Sequence, residues 1–100
     1  MEKENIFESK PCYELGKLGW YLCEWDIFKN KYFKFMKQDM NDKVYILIED
    51  HTEDEGVKDY VLYSYMEDID EYNKKHNVVY GLDTREIKAV LELIELCKNN

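Results

Sequence analysis

The side chains able to carry acid–base or nucleophilic chemistry are few and widely separated in this chain of 100 residues. His51 and His76 fall in different predicted elements, and Ser9 and Ser64 lack the flanking turn that exposes a catalytic serine. Four glycines, at positions 16, 19, 56 and 81, stand too far apart to form a phosphate-binding loop. We therefore predict that the protein is not an enzyme, while a Ser-His-Asp or Cys-His site assembled from distant segments stays open.

The cysteines and the acidic segments do not have the spacing of a metal site. Cys12, Cys23 and Cys97 are odd in number and include no Cys-x-x-Cys pair, so we predict three reduced thiols. Cys23 and Cys97 have apolar neighbours and are predicted to lie in the core. Residues 49–56 combine acids with a histidine but lack the ligand alternation of a calcium loop. We expect no resident metal and no cofactor, and at most weak divalent binding.

The net charge of −8 is confined to the second half of the chain. Residues 1–48 contain eight acids and eight lysines, whereas residues 49–100 contain fourteen acids and six bases. Within 49–71 there are ten acids and one base, Lys58. Such a segment repels phosphate, so we expect no direct contact with nucleic acid or with a membrane. It favours a protein partner with a basic surface, and the alternative is a solvated face that only maintains solubility.

Tyrosines accompany these acids. Nine of the fifteen aromatic residues are tyrosine, and Tyr63 and Tyr65 alternate with smaller residues, so they share one face of a predicted strand while Tyr60 lies on the other. Tyrosine is favoured where one end of the ring stays wet, either roofing a sheet or anchoring an interface. The predicted partner-binding set is Glu49, Asp50, Glu53, Asp54, Glu55, Asp59, Tyr63, Tyr65, Glu67, Asp68, Asp70 and Glu71. The acids of the 49–56 loop are expected at the rim of this site, and those of 67–71 at its centre.

A lysine-rich segment forms the opposite pole of the chain. Lysines at positions 29, 31, 34 and 37 surround Phe33 and Phe35, which is one pattern of a single-strand-binding face. Lysine also protects the edges of sheets from unwanted pairing. We favour edge protection, because four lysines on an acidic protein are a weak signal for nucleic acid.

The elements that position these residues follow from periodicity. Alternating runs at 20–27, 32–37, 44–48 and 60–66 predict four strands, which are close enough along the chain to form an antiparallel meander. In the first, Tyr21, Cys23, Trp25 and Ile27 are expected on one face. The third is apolar on both faces, so it is expected at the centre under a helix. Pro11 predicts a short helical turn over 12–15.

Two helices are predicted after the strands. Acids at 67–71 followed by Lys74 and Lys75 match a helix dipole, with a thin apolar stripe at 66, 69, 72 and 76. Asp83 and Glu86 form a capping-box pattern before a helix to about residue 98. Its predicted core stripe is Ile87, Val90, Leu91, Ile94 and Cys97, and the helix is expected to be buried over more than half its circumference. The predicted fold class is α+β, a meander of about four strands covered by C-terminal helices, in one domain whose residues 1–10 are loosely ordered.

In size, acidity and lack of a catalytic motif, the chain resembles phage-encoded inhibitors of host defence nucleases and immunity proteins to nuclease toxins. The resemblance covers general character and no motif, so it assigns no residue. It implies a small acidic inhibitor that docks on a basic, nucleic-acid-handling protein. The alternative function is a non-catalytic accessory domain that self-associates through its last helix, and both monomer and homodimer stay open. The first residues lack the apolar segment of a secretory signal, so a cytoplasmic location is expected.

Overall fold

The structure, a computed structural model, describes residues 8–26, 32–40, 42–56, 59–69 and 71–99. Its five strands form a single antiparallel sheet in chain order, β1 to β5. The elements in chain order are α1 (Lys10–Lys17), β1 (Tyr21–Trp25), β2 (Tyr32–Asp39), β3 (Asp42–Asp50), β4 (Tyr60–Ile69), β5 (Lys75–Val79) and α2 (Thr84–Lys98). The α+β class and the antiparallel meander are confirmed, but the sheet has five strands where four were predicted.

The helix predicted over 67–75 is wrong, because the described residues of this range form the end of β4, a turn and the start of β5. β4 continues to Ile69, and β5 returns beside it with Met66 opposite Val78. The turn between them is made by Asn73 with φ 64°, a left-handed conformation that asparagine tolerates. The apolar stripe was too thin to hold a helix against the sheet, whereas extending β4 into a hairpin satisfies the same backbone groups. One C-terminal helix is therefore present where two were predicted.

Helix α2 begins as predicted. The Asp83 carboxylate accepts the N–H groups of Arg85 and Glu86, and the Glu86 side chain accepts the N–H of Asp83 at 2.9 Å, so the capping box is confirmed. The buried side of the helix is a single stripe at 3.6-residue spacing. It consists of Glu86, Ala89, Val90, Leu93, Ile94 and Cys97.

The predicted stripe of α2 is partly wrong. Ile87 and Leu91 are 39% and 58% exposed, so the apolar face is rotated relative to the core. Val90, Ile94 and Cys97 are buried, as predicted. The expected burial of more than half the circumference also fails, because α2 meets the sheet on one side and leaves this flank outward.

Helix α1 is longer than the predicted turn. Ser9 caps it, Pro11 lies in its first turn, and it ends at Lys17. Leu15 is fully buried, and α1 packs beside α2. Both helices therefore contribute to the same side of the sheet.

The core lies between the sheet and these helices. Phe33 and Phe35 of β2 have no exposed surface and contact the same cluster as the aliphatic residues of α2. A base cannot stack on either ring, so the single-strand-binding interpretation is wrong. Edge protection is also wrong for Lys34 and Lys37, because β2 lies between β1 and β3. Lys29 and Lys31 lie outside the described residues.

A bulge in β1 changes the faces predicted for that strand. The register shifts between Leu22 and Glu24, so one additional residue, Cys23, is inserted opposite β2. Leu22 and Trp25 consequently pack against the core, while Cys23 is exposed. The predicted burial of Cys23 is therefore wrong, and the predicted partner at position 27 lies outside the described residues.

Candidate functional site

The candidate site is the side of the sheet that faces away from both helices, here called the open face. Successive strand residues alternate between faces, so Tyr45 and Leu47 of β3 lie opposite its buried neighbours Val44, Ile46 and Ile48. The register places the corresponding residues of the other strands on the same side. The open face contains Tyr21, Glu24, Tyr32, Lys34, Met36, Lys43, Tyr45, Leu47, Glu49, Val61, Tyr63, Tyr65, Glu67 and Val79.

Tyr45 forms the centre of the open face. Its ring stacks on Tyr65, with centroids 5.2 Å apart and planes inclined by 27°. The Lys34 ammonium lies 4.5 Å from the Tyr45 ring centroid, which is a cation–π contact. These neighbours leave Tyr45 only 7% exposed although no described helix covers it. The face therefore has a preformed floor of packed rings.

Two tyrosines of this face, Tyr45 and Tyr32, have raised pKa values. Burial and the nearby Glu67 carboxylate raise the pKa of Tyr45. The Tyr32 hydroxyl donates to Glu24 at 2.7 Å, and burial together with this carboxylate raises the pKa of Tyr32 well above its usual range. The hydroxyls of Tyr45 and Tyr32 therefore keep their protons at neutral pH and carry no charge.

The predicted acidic residues divide between the two ends of the sheet. Glu49, Asp50 and the loop acids Glu53, Asp54 and Glu55 lie with Asp59 at one end, here called the loop end. Glu67, Asp68 and Glu71 lie at the opposite end, near the β4–β5 turn, and Asp70 lies outside the described residues. Glu67 lies eight positions after Asp59, which is about 26 Å at ~3.3 Å per strand residue. The described acids of 49–71 therefore do not form one continuous surface.

The structure brings four of the predicted residues onto the open face. Glu49, Tyr63, Tyr65 and Glu67 lie there, with Tyr63 opposite Leu47 and Tyr65 opposite Tyr45. Tyr63 is 45% exposed and Tyr65 is half-buried. The acids of 67–71 were predicted at the centre of the site because a helix was predicted there. Residues 67–69 belong to β4 instead, and Tyr63 and Tyr65 lie at the centre of the site.

The loop end is held by short-range contacts. The His51 ring lies between two carboxylates, 2.6 Å from Asp54 and 3.7 Å from Glu49. Asp50 accepts the N–H of Thr52 at 2.9 Å. Of the six carboxylates at this end, two therefore contact the His51 imidazole, and Asp59 pairs with the Lys98 ammonium at 2.9 Å. This end of the protein is strongly negative.

A groove of about 640 Å³ opens where β5 stops and β4 continues. Tyr63, Tyr65 and Leu62 contribute its wall, Val79 closes one end and Glu49 supplies a carboxylate. Val79 is 89% exposed, which is unusual for a β-branched residue within a strand. The groove therefore joins the tyrosine face to the loop end.

Several residues of this site were not predicted. Tyr45, Lys34, Leu47 and Val79 belong to it, although residues 44–48 suggested a strand buried on both faces. Tyrosine at position 45, between aliphatic residues, was the available signal for a wet face. The adjacent valines at 78 and 79 were the signal for a fifth strand.

Basic side chains cluster on the helical side of the molecule. A groove of about 340 Å³ between α1 and α2 is lined by Lys10, Lys17, Arg85 and Lys88 together with two glutamates. Lys17 is paired with Glu14 at 3.5 Å, and Arg85 with Asp83 at 2.7 Å. The charge of the described residues is therefore polarised, with the negative pole at the loop end.

Comparisons with protein-family models, with curated proteins and with solved structures gave no match. Within the described ranges, no group of three or more His, Cys, Asp or Glu side chains is arranged to hold a metal ion. Neither of the two described helices is long and apolar enough to cross a membrane.

Proposed function

We propose that this chain is a small, non-catalytic binding protein, of the inhibitor type, that docks on a basic surface of another protein. The observation that supports the proposal is the open face, whose tyrosine rings are packed and preoriented yet face away from both helices. The expected partner is a nucleic-acid-handling protein, because its binding cleft presents the lysines and arginines that the loop end would attract.

The composition of the open face suits protein recognition. Tyrosine provides large contact area with few rotatable bonds and a hydroxyl that tolerates water before binding. The Tyr65 ring is already stacked on Tyr45, so it loses little side-chain freedom when a partner covers it, and Tyr63 lies two residues away on the same face. We expect these two rings to contribute most of the binding free energy.

The loop end supplies long-range attraction. Glu53, Asp54 and Glu55 are exposed, so they act on the rate of association more than on the final contacts. Glu49 lies on the open face beside Tyr63 and is the carboxylate best placed to pair with a partner lysine or arginine after docking. Affinity and salt dependence should therefore depend on different residues.

The proposal is tested by affinity capture from the native host with the wild-type chain and a Tyr63→Ala/Tyr65→Ala variant. We expect one basic protein to be retained by the wild type and its affinity to fall at least tenfold for the variant. Tyr13→Ala is the matched control, because Tyr13 is 65% exposed on α1, away from the open face. Equal retention by all three proteins would contradict the proposal.

A second experiment tests the charge. Reversal of Glu53, Asp54 and Glu55 to lysine should slow association with the captured partner and flatten its dependence on salt, since attraction between opposite charges is lost. Stopped-flow mixing at several salt concentrations measures both. An unchanged rate would mean that the loop end is only a solvated surface.

The exposed flank of α2 supports a second candidate function, an accessory domain that self-associates. Ile87 and Leu91 lie along a shallow apolar groove of about 450 Å³ on the outer side of the helix. Sedimentation velocity of the wild type and of Leu91→Glu tests it. A dimer that the substitution dissociates would favour this function, whereas a wild-type monomer at high concentration would contradict it.

A further inference from the structure

β4 is longer than the strand that pairs with its outer edge. β3 pairs with β4 from Tyr60 to Glu67, whereas β5 pairs with it only from Tyr65 to Ile69. The Tyr80 N–H extends this pairing by one contact, 3.2 Å from the Ser64 carbonyl. Residues 60–63 thus lie beyond the end of β5, and no described strand runs beside them on that side.

The direction of the backbone groups on this edge follows from the neighbouring contacts. In an antiparallel sheet, the N–H and C=O of one residue point to the same neighbouring strand, and successive residues alternate. Because the Ser64 carbonyl bonds to Tyr80, the N–H and C=O of Leu62 also point outward. The N–H of Tyr60 is already taken by the Asp59 carboxylate at 2.7 Å. Leu62 is therefore the centre of a short open edge.

This edge lacks the features by which proteins protect strand edges. Charged residues, proline or a bulge usually block pairing with another chain. β5 carries Lys75, and β1 carries a bulge and Glu24. The run 60–63 consists of tyrosine, valine, leucine and tyrosine, and Leu62 is 37% exposed.

The side chains around the edge specify what would pair with it. Glu49 and Tyr63 lie on the open-face side of the groove, and Leu62 lies on the other side of the pleat. A lysine placed over Tyr63 would reproduce the contact that Lys34 makes with Tyr45 at 4.5 Å, and it would approach the Glu49 carboxylate. An aliphatic residue at the next position would cover Leu62.

Resting on the proposed function, we propose that an extended segment of the basic partner adds to β4 as a strand at residues 60–63. The segment alternates lysine or arginine with aliphatic residues, and it lies in line with β5, beginning where Val79 ends. Main-chain hydrogen bonds to Leu62 supply affinity, and the acids of the loop end select the charge of the segment.

The test uses the full chain and a fluorescent seven-residue peptide that alternates lysine and valine. Anisotropy should show saturable binding, and the amide of Leu62 should exchange more slowly with deuterium when the peptide is present. A peptide with the same side chains but alternate backbone nitrogens methylated should bind at least tenfold more weakly, because it cannot pair along an edge. A glutamate–valine peptide controls for charge and should not bind.

Variants of the edge provide an independent measurement. Leu62→Pro removes the outward N–H without removing a bond to β3, so the fold should persist and peptide affinity should fall at least tenfold. Leu62→Ala keeps the N–H and should lose less. Thermal melts followed by circular dichroism confirm folding, and the methylated peptide on the wild-type chain provides the test if Leu62→Pro unfolds.

Three outcomes would overturn strand addition: no binding of the lysine–valine peptide, equal binding of its methylated form, or a Leu62 amide already protected by a second copy of the chain. In each case the proposed function stands if Tyr63→Ala/Tyr65→Ala still lowers the affinity for the basic partner at least tenfold. Peptide addition together with unimpaired capture by that variant would instead contradict the proposed function.

Discussion

The two faces of β3 differ although they alternate along one strand. Val44, Ile46 and Ile48 have no exposed surface beneath the helices. On the opposite face, Tyr45 is also buried, at 7% exposed, but by a neighbouring ring and a lysine instead of a helix. The comparison shows that low exposure alone does not mark the core, because a residue of a face lined with tyrosine hydroxyls can be buried by its neighbours while the face stays available to a partner.

Lysine also has different roles on the two faces. On the covered side, the Lys37 ammonium lies 4.9 Å from the Trp20 ring and 3.6 Å from the buried Glu86 carboxylate. On the open face, Lys34 lies over Tyr45 and 4.0 Å from the exposed Glu24. The first arrangement ties α2 to the sheet, whereas the second only orders a surface.

The largest expected difference between the faces is in stability. Phe35→Ala should lower the free energy of unfolding by about 3–5 kcal/mol, because it leaves a cavity beneath the helices. Tyr63→Ala on the open face should cost less than about 1 kcal/mol. Urea denaturation of both variants measures this, and similar losses would mean that the open face is part of the core.

The two sides of α2 should also differ in how much a truncation lowers the free energy of unfolding, with the larger loss on the side facing the sheet. Ile94→Ala is expected to cost about 2–5 kcal/mol, since Ile94 is 8% exposed. Leu91→Ala should cost less than about 1 kcal/mol in a monomer, since its side chain is 58% exposed. Chemical denaturation measures the free energy of unfolding of the two variants. A loss of about 2 kcal/mol or more for Leu91→Ala would show that another surface covers this flank.

A substitution of Glu86 tests the buried polar contacts between α2 and the sheet. Its carboxylate accepts the indole N–H of Trp20 and the backbone N–H of Asp83. Glu86→Ala should cost about 2–3 kcal/mol, because these donors and the Lys37 ammonium lose a charged partner. Glu95→Ala, exposed on the same helix, is the control and should be nearly neutral. Equal losses of unfolding free energy for the two substitutions would show that the buried contacts of Glu86 do not stabilise the fold.

The smallest expected effects concern acid at the two ends of α2. The Arg85 side chain and the Glu86 backbone N–H hold the pKa of Asp83 below its usual range, and Lys98 with the Tyr60 N–H does the same for Asp59. A lowered folded-state pKa stabilises the protein above the unfolded value of about 4, and this contribution is lost as pH falls through the folded value.

Melting temperature should therefore decrease below about pH 4. Asp83→Asn and Asp59→Asn should each lower the melting temperature near neutral pH and flatten its decrease in acid. Scans from pH 7 to pH 2 compare the variants with the wild type. A variant whose acid dependence is unchanged would show that the carboxylate concerned does not contribute.

Short-range signals in the sequence determined α2 and the meander. The capping box joins residues three apart and the helical period is local, so the start of α2 and its helical state are readable from sequence, whereas packing against the sheet decided which face is buried. The antiparallel order follows from short connections between neighbouring strands. Tyr63 and Tyr65 were correctly assigned to one face because strand alternation is also local.

Only the tertiary structure decided the state of residues 67–79 and the division of the acids. The same charges suit a helix start or a hairpin turn, and pairing of Met66 with Val78 selected the hairpin through contacts across the turn. That choice extended β4, separated the loop acids from Glu67 and left the tyrosines between them. The same pairing created the groove at Val79. The end of β5 depends on its pairing with β4 and on the path of the chain into α2, and neither is visible in the local sequence.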